Sequence, residues 1–428
     1  MLDMDSIISS IALGFYLSLF PSTKQNENLK NKLILPVFNI NQQEIKLRKD
    51  CKYVLERFLS SSVPSNQVCN SENIIQGLDT QYPGIFIDEL NSAEGKVEAG
   101  VCDNLDIYLV DHNQLSAKNE GLRGCVRGVV DHHLDEKAFL ESKIRVIENV
   151  GSCTSAIVLM IKERLEEIGC NGSCEVLSSE FLMSLLAPIM LDTSNLANSK
   201  VTQMDIEATK WIQSILSSST FSLDTDFEKG IVRDNSQIIS TVDKSRIPSE
   251  IDAFYSKIKE LKKDVSDFSS IDLMNKDYKQ IVAYDEKNHT INLGISSVPL
   301  RLKKWIKKRG PVELNDAISA FLKQKNLNIY IVMTMGNAKD DEGIKSFGRE
   351  LTVYFGNSVS PTDETSFTKS LLSNQYLDLV DFKSIKSQDK MDRTYYFQQL
   401  YTNSSRKQVF PIVNDVVSRI SFTLLSSL

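Results

Sequence analysis

A chain of 428 residues is longer than one hydrophobic core usually supports, so its length predicts two or three domains. Its composition, 41% hydrophobic and 25% charged, is typical of a globular protein and excludes a largely disordered one. The formal net charge of −7 argues against non-specific nucleic-acid binding, which needs a basic surface. We therefore expect no nucleic-acid partner, although a local basic pocket stays possible.

One apolar segment, from Ile7 to Phe20, looks like the core of a signal peptide. Aspartates rather than lysines precede it, however, and it is too short to span a bilayer. Its apolar residues recur at helical spacing, which predicts a buried helix; they are Ile7, Ile8, Ile11, Phe15 and Leu19. We expect no membrane association and a cytoplasmic location.

The seven cysteines are odd in number and lack Cys-x-x-Cys spacing, so they do not indicate a disulfide framework. A reducing compartment fits this pattern better. Cys170 and Cys174 flank Asn-Gly-Ser, which predicts a turn, and they are a weak candidate pair for metal binding.

Short apolar runs alternate with helical patterns in the first half of the chain, which predicts an α/β fold with a mostly parallel sheet flanked by helices. The predicted strands are "KLILPVFNI", "PGIFIDEL", "LDIYLVD" and "CVRGVVD", and the helices are "DCKYVLERFL" and "TSAIVLMIKERLEEI". The serine-rich "SILSSSTFSLDTDFEKG" leads out of this domain, which we assign to residues 1–235.

A second, smaller α/β domain is predicted over residues 251–428. It opens with the helix "EIDAFYSKIKELKKDV" and continues with the strands "TINLGISSV" and "LNIYIVMTM". Within it, "GNSVSPTDETSFTKS" is predicted to be a surface loop. The basic run "RLKKWIKKR" indicates either a solvated helix face or a track for a long polyanion.

Acidic residues and histidines stand at the ends of several apolar runs in the first domain. Because the carboxyl ends of parallel strands meet in one crevice, we expect these side chains to converge there. Carboxylates and imidazoles suit divalent ions such as Mn²⁺ or Mg²⁺, and two such ions can activate a shared hydroxide for displacement at phosphorus. The phrases are "LDMDSI" with Asp3 and Asp5, "LVDHN" with Asp111, "GVVDHH" with Asp131, and "MLDTSNL" with Asp192.

Each of these residues also has an ordinary structural explanation. A lone aspartate before a helix is usually an N-cap, and an Asp-His pair after a strand is more often part of a turn. The ordered set is harder to explain by chance, because three of the chain's four histidines fall within it.

In this ordered set of motifs the chain resembles the DHH phosphoesterase superfamily, and in particular the branch that carries a C-terminal DHHA2 domain. Within that branch it most resembles the fungal exopolyphosphatases. The shared motifs span nearly the whole chain; they are "DMDSIISSI", "ILPVFNINQQEIKLRKDCKYVLE", "YLVDHN", "GVVDHH", "GSCTSAIV", "LDTSN", "MNKDYKQI" and "SSRKQVFP". The resemblance implies a DHH domain followed by a DHHA2 domain, and a metal-dependent hydrolase that removes terminal phosphate from inorganic polyphosphate.

The resemblance also implies roles for individual residues. The ligands of two divalent ions, Mn²⁺ or Mg²⁺, would be Asp3, Asp5, Asp111, His132 and Asp192. His133 would lie beside the reacting phosphate as a donor or acid, a role that suits a group titrating near neutrality. Asp131 would orient a neighbouring imidazole, and His112 belongs to the same outer shell.

Positive charge in the second domain is implied to grip phosphate through Lys279 of "KDYK" and through Arg406 and Lys407 of "SRKQVFP". Arginine offers a bidentate fork to phosphate oxygens, and lysine offers a point charge. Without the motif, Arg406 and Lys407 would be an ordinary solvated pair. We expect these residues to lie near the metal ligands, in a cleft between the domains.

One departure from the family concerns the start of the chain, where only Met1 and Leu2 precede Asp3. The family has a strand and a further metal ligand before that point. We expect either a start codon assigned too late, which we favour, or a truncated protein.

Three other functions compete with exopolyphosphatase. A family II inorganic pyrophosphatase would use the same site, although its chains are usually shorter. A prune-like phosphodiesterase is less favoured, because that group generally lacks the second histidine, here His133. The last is a non-catalytic phosphate-binding or scaffold protein. No obligate protein partner is indicated.

Overall fold

The computed structural model describes residues 3–19, 34–59, 82–88, 105–169, 177–218, 249–339, 345–382 and 393–424. The chain divides into two compact units, Met1–Asp264 and Val265–Leu428. The pair Cys170 and Cys174, and the serine-rich segment from residue 219 onwards, lie outside the described residues. Within the described part of the chain, no helix is long and apolar enough to cross a membrane.

The first unit contains a parallel three-stranded sheet of order β3-β4-β5 and a separate parallel pair. The predicted mostly parallel arrangement is therefore confirmed. β5 was not predicted, because its short run "IRVI" carries an arginine among its apolar residues. The strands are β1 (Val37–Phe38), β2 (Ile85–Phe86), β3 (Ile107–Val110), β4 (Val126–Asp131) and β5 (Ile144–Ile147).

Helices pack around these strands and form most of the core of the first unit. They are α1 (Met4–Leu19), α2 (Lys49–Val54), α3 (Cys153–Glu167), α4 (Ser179–Asp192), α5 (Gln203–Ser218) and α6 (Ser249–Lys263). A π-helical turn at Leu55–Leu59 extends α2, and 3₁₀ turns lie at Gln42–Leu47 and Ala117–Cys125. The predicted buried face of α1 is present, with Ile7, Ile8 and Ile11 in the core.

Helix α6 belongs to the first unit, although the sequence assigned it to a second domain starting at residue 251. Its apolar residues Ile251, Phe254 and Ile258 join the same core as α1, and Lys49 binds Asp264 at 2.7 Å just after the helix ends. An amphipathic pattern predicts that one face is buried, but it does not say in which core. The division between the compact units accordingly falls after Asp264.

The second unit is built on a six-stranded mixed sheet of order β10-β11-β9-β8-β7-β6, in which only the β7–β8 pair is parallel. Its strands are β6 (Tyr278–Tyr284), β7 (Thr290–Val298), β8 (Ile329–Lys339), β9 (Lys345–Phe355), β10 (Leu379–Asp381) and β11 (Thr394–Gln399). Its helices are α7 (Ser270–Lys276), α8 (Leu302–Arg309), α9 (Pro311–Gln324), α10 (Pro361–Leu372) and α11 (Arg406–Ser418).

The predicted surface loop at residues 356–370 is wrong over most of its length, because helix α10 begins at Pro361. The Ser360 hydroxyl accepts a hydrogen bond from the Asp363 amide, and proline occupies the first helical position, where its missing N–H costs nothing. Phe367 and Leu371 are fully buried on the inner face of the helix. The polar composition concealed a helix whose start signal was present in the sequence.

Two described cysteines, Cys51 and Cys153, are free and buried in the first unit. Cys125 is disulfide-bonded, which the cysteine spacing did not indicate.

Candidate metal centre

Neighbouring strands bring the first two Asp-His phrases together. Val110 at the end of β3 pairs with Val130 of β4, and the Asp111 amide then donates to the Val130 carbonyl at 2.9 Å. Asp111 therefore follows β3 at the edge where Asp131 ends β4. The buried Val129 and Val130 anchor this edge in the interior.

Asp111 adopts a left-handed backbone conformation, with φ of 62°, which places its carboxylate over the start of α1. Its Oδ2 atom accepts a hydrogen bond from the Ser6 hydroxyl. Its Oδ1 atom is buried, and no described residue donates a hydrogen bond to it. Burial raises the pKa of Asp111, but His132 and Ser6 act against it, and the net pKa is lowered. Asp111 is thus an anion, and its buried Oδ1 atom has no hydrogen-bond donor when the His132 ring is neutral.

His132 faces that oxygen with a ring nitrogen. Its Nδ1 atom lies 3.0 Å from the Val150 carbonyl, which can only accept, so Nδ1 carries a proton. In the neutral ring, the Nε2 lone pair then lies 3.1 Å from Asp111 Oδ1 and 3.9 Å from Asp5 Oδ2. Burial disfavours the imidazolium, but Asp111 and Asp5 outweigh it and raise the pKa of His132 to about 9. A cation, either a proton or a metal ion, is needed between these groups.

Asp5 is 2% exposed and is held by many donors. Burial, followed by the charge of Asp111, raises its pKa. Its Oδ2 atom accepts one hydrogen bond, from the Cys153 amide at 2.7 Å, so this oxygen keeps room for a metal ion. Its Oδ1 atom is occupied by donors: the hydroxyls of Ser9 and Ser152, and the amide and hydroxyl of Thr154.

His133 is held from behind by a buried pair. Its Nδ1 atom lies 2.8 Å from Asp131 Oδ1, and Asp131 is fully buried. Asn113 donates to the other Asp131 oxygen at 2.6 Å and is itself tied to the Leu134 carbonyl and the Glu136 amide. The His133 side chain is nevertheless 61% exposed. Its ring is therefore oriented by the protein and accessible to a solute.

A compact group of possible ligands results, which we call the Asp-His cluster: Asp111, His132 and His133. One ligand atom from each residue lies within 4.8 Å of the others, and it is the group of this kind found in the described part of the chain. An unsatisfied carboxylate oxygen beside imidazole nitrogens fits a divalent ion that accepts mixed oxygen and nitrogen ligands. Two of the three residues, Asp111 and His132, are among the predicted metal ligands, and the donor set fits a divalent ion.

The other predicted metal ligands lie outside the Asp-His cluster. Asp3 precedes α1, where its carboxylate accepts a hydrogen bond from the Ser6 amide, as in an ordinary N-cap. Asp192 ends helix α4 and not a strand, because "LLAPIML" is helical despite Pro188. Burial, then the charges of Asp5 and Asp3, raises the pKa of Asp192 to about 8, so it shares the electrostatic field of those two carboxylates.

His112 is not part of the Asp-His cluster. It is exposed, and its Nδ1 atom lies 2.8 Å from the Val110 carbonyl. His112 was predicted to support the metal ligands, but among the described residues it makes no contact with the Asp-His cluster. The residue that holds Asp131 is Asn113. The motif "DHN" contained that residue, and an asparagine directly after Asp-His at the end of a predicted strand was the signal that could have identified it.

A second supporting residue, Asp205, carried no sequence signal. It is fully buried near the start of α5 and accepts hydrogen bonds from the Gly151 amide, the Ser155 hydroxyl and Thr202. Gly151 and Ser155 bracket the "GSCTS" segment, from which Asp5 receives all of its donors except the Ser9 hydroxyl. Asp205 therefore holds this donor segment in place.

The predicted phosphate-gripping residues belong to the second unit. Lys279 on β6 and Lys407 on α11 are exposed, and neither forms an ion pair with a described residue. Arg406, the first residue of α11, is already engaged, since it binds the carboxylate of Asp277 at 2.8 Å and donates to its carbonyl at 2.5 Å. Asp277 belongs to "KDYK", so the two basic motifs of the second unit are in contact.

Comparison with known proteins bears on both units. The model of the DHHA2 domain matches residues 256–416. A Schizosaccharomyces pombe protein named "Putative exopolyphosphatase" is 28% identical over 422 residues, which cover 98% of this chain and 89% of that protein. "Exopolyphosphatase PRUNE1" of Rattus norvegicus is 23% identical over 416 residues, which cover 97% of this chain and 73% of that protein.

One solved structure similar to this chain comes from Methanococcus jannaschii and is described as a "putative family II inorganic pyrophosphatase". The alignment covers 97% of this chain and 96% of that chain, at 17% identity and a TM-score of 0.46. The DHHA2 match and the near full-length similarity to the yeast protein agree with the motifs at the Asp-His cluster. The chain therefore carries a DHHA2 domain over residues 256–416 and is similar over nearly its whole length to proteins named as exopolyphosphatases.

Proposed function

We propose that this protein is a metal-dependent exopolyphosphatase, which hydrolyses the terminal phosphate of inorganic polyphosphate. The observation that carries the proposal is the buried, unsatisfied Oδ1 atom of Asp111, which faces an imidazole nitrogen 3.1 Å away. The similarity of nearly the whole chain to a protein named as an exopolyphosphatase supports the choice of substrate. We place the metal site in the DHH domain, expected over residues 1–235, and phosphate binding in the DHHA2 domain.

The metal ions are proposed to be two divalent cations, Mn²⁺ or Mg²⁺. Asp111 through Oδ1, His132 through Nε2 and Asp5 through Oδ2 are the atoms with room to bind them. Asp3 and Asp192 would complete the set. Cations held there would neutralise phosphoryl oxygens and acidify the attacking water.

His133 would donate a proton to the bridging oxygen that leaves with the shortened polyphosphate chain. Asp131 accepts from Nδ1, so the Nε2 atom of the ring is directed away from the buried pair and towards a substrate. Asp131 and Asn113 act on the reaction only through His133, because both are buried. Lys279, Arg406 and Lys407 would supply positive charge to the phosphates of the chain.

The test is release of orthophosphate from polyphosphate, pyrophosphate and a cyclic nucleotide, compared at equal enzyme concentration with Mn²⁺, with Mg²⁺ and with a chelator. We expect turnover of polyphosphate that needs a divalent ion and exceeds turnover of the other two substrates. Faster hydrolysis of pyrophosphate would favour a family II pyrophosphatase. Binding of polyphosphate without turnover under any metal condition would contradict an enzymatic function.

A further inference from the structure

The basic run at residues 301–309 lies in helix α8 and its N-cap, and it presents a face of exposed lysines. Helix α8 buries Leu302, Trp305 and Ile306, and the Trp305 indole donates to the Ser270 hydroxyl at 3.0 Å. This anchoring fixes the rotation of the helix. The four lysines of the helix are all exposed as a result; they are Lys303, Lys304, Lys307 and Lys308.

Six of the nine residues in this run are basic, in a chain whose net charge is −7. Half of them have structural tasks, since Arg301 pairs with the buried Glu350, while Lys308 and Arg309 donate to the carbonyls of Ser266 and Phe268. The remaining three form what we call the lysine face: Lys303, Lys304 and Lys307. None of them forms an ion pair or a side-chain hydrogen bond with any residue that the structure describes.

Helix stability does not explain the lysine face. Lys303 and Lys304 lie in the first turn of α8, at the positive end of the helix dipole, and that turn contains no acidic residue. Lys303 also lies one turn from Lys307, so two like charges repel at i,i+4 spacing. Lys307 lies in the last turn, where a cation favours the helix, but Lys303 and Lys304 lie in the first turn, where a cation opposes it. Helix stability therefore does not account for Lys303 and Lys304.

We propose that the lysine face binds the extended chain of an inorganic polyphosphate, at phosphates other than the one being hydrolysed. The proposal rests on the proposed function for its substrate. A linear polyphosphate presents regularly spaced charges with no bulky groups, so adjacent lysines on one turn of a helix can contact several phosphates at once. A long chain would gain affinity from this contact, and a short one would not.

Polyphosphate fits the lysine face better than a nucleic acid does. Proteins that bind single-stranded nucleic acids combine basic groups with exposed aromatic rings on which bases stack. The one aromatic residue of this run, Trp305, is fully buried and cannot stack on a base. A phosphate chain needs only the charges.

The experiment compares a triple variant, Lys303→Gln/Lys304→Gln/Lys307→Gln, with a matched control, Lys287→Gln/Lys323→Gln/Lys369→Gln. The control removes the same charge from three exposed lysines elsewhere in the second unit. Affinity of the whole metal-free protein is measured for long-chain polyphosphate and for tripolyphosphate across a series of KCl concentrations. Since turnover is not measured, the result does not depend on whether the protein hydrolyses polyphosphate.

We expect the triple variant to bind long-chain polyphosphate at least about tenfold more weakly at low salt. Its slope of log affinity against log salt should fall by roughly 2, the change expected for the loss of three phosphate contacts. Affinity for tripolyphosphate should not change, and the control should match the parent. The melting temperature of the triple variant should equal or exceed that of the parent, whereas a structural role would lower it.

Two results would overturn the proposal. One is equal affinity of the triple variant and the control for the long chain. The other is that the parent binds single-stranded DNA more tightly than polyphosphate of equal charge, and that the triple variant loses more affinity for DNA than for polyphosphate. That result would show that the lysine face binds a nucleic acid.

Discussion

The Nε2 atom of His132 lies 3.1 Å from Asp111 Oδ1, and the opposite ring nitrogen is committed to the Val150 carbonyl. Two electron-rich atoms thus face each other whenever the ring is neutral. A proton fills the gap when the imidazole is charged, and a divalent ion can fill it when the imidazole is not. Proton and metal therefore compete for one position, and metal binding there should release a proton.

We predict that Asp111→Asn loses metal binding and turnover but keeps the fold. Asparagine tolerates the left-handed backbone at this position, and its amide can donate to the His132 Nε2 atom. Affinity for Mn²⁺, measured by calorimetry, should fall at least about tenfold, because the charge that binds the cation is removed. The metal-free circular dichroism spectrum should match that of the parent.

Alanine at the same position is a less clean test, since it strains the left-handed backbone by roughly 1–2 kcal/mol. Asp111→Ala should therefore melt below Asp111→Asn while both lack turnover. Full activity in the asparagine variant would refute the proposed metal site.

We predict that the metal-free protein becomes less stable as pH rises from about 6 to 9. The pKa of His132 is raised to about 9 and that of Asp192 to about 8, above the values of 6.5 and 3.8 that they have when unperturbed. A group with a raised pKa stabilises the fold in its protonated form, and this stability is lost as pH rises through the folded-state pKa. The melting temperature in chelator should fall by several degrees over this range.

Saturating Mn²⁺ should flatten this pH dependence, because the ion replaces the lost proton. His132→Gln should flatten it in part even without metal. A melting temperature in chelator that is constant or rising between pH 6 and 9 would contradict the assigned groups.

We predict that Asn113→Ala lowers both stability and turnover, although Asn113 is buried and out of reach of a substrate. The variant removes the Asn113 partner of the Asp131 Oδ2 atom, the Leu134 carbonyl and the Glu136 amide, which costs about 1–3 kcal/mol. His133 then loses the orientation of its partner, so turnover should fall while affinity for Mn²⁺ changes little.

The neighbouring exposed residue supplies the control. His112→Ala removes only a contact with the Val110 carbonyl, so it should keep the stability and turnover of the parent. If the two variants lost the same amount of activity, the support of His133 through Asn113 would be wrong.

We predict that Gly128→Ala disrupts β4 and with it the Asp-His cluster. An added Cβ atom at Gly128 would lie 2.4 Å from the Tyr108 ring on the paired strand, so the strands must separate or the ring must move. Overpacking of this kind costs roughly 1–3 kcal/mol. At Gly121, no described atom lies within 4 Å of the added Cβ. Thermal melting of the two variants should show a loss for Gly128→Ala that Gly121→Ala does not share.

We predict that Lys279→Ala and Arg406→Ala raise the KM for polyphosphate more than they change affinity for Mn²⁺, since neither cationic side chain can bind a metal ion. The effect should shrink as ionic strength rises, because screening weakens the same attraction in the parent. Steady-state kinetics over a salt series measures it, with Lys287→Ala as an exposed control in the same unit.

The two variants should differ in stability. Arg406→Ala also removes the ion pair with Asp277 and a hydrogen bond to its carbonyl, whereas Lys279 is exposed. Only Arg406→Ala should lower the melting temperature. Parental KM values at low salt in both variants would show that these residues do not bind the substrate.

Much of the local structure followed from the sequence, because it depends on residues close together in the chain. The run "GVVD" predicted a buried strand ending in an aspartate, and β4 ends at Asp131 as expected. The spacing of Ile7, Ile8 and Ile11 predicted the buried face of α1. At residues 356–370 the start signal, Ser360 followed by Pro361, was outweighed by polar composition, and a helix was missed.

Only the tertiary structure decided how the candidate site is assembled, because its hydrogen bonds join residues far apart in the chain. Asp5 receives donors from Ser152, Cys153 and Thr154, nearly 150 positions away. No periodicity encodes that contact, and none indicates that α6 packs in the first unit. Composition and spacing determine which segments are buried and which residues end them; the packing of those segments determines which polar atoms meet and which, like Asp111 Oδ1, are left for a cation.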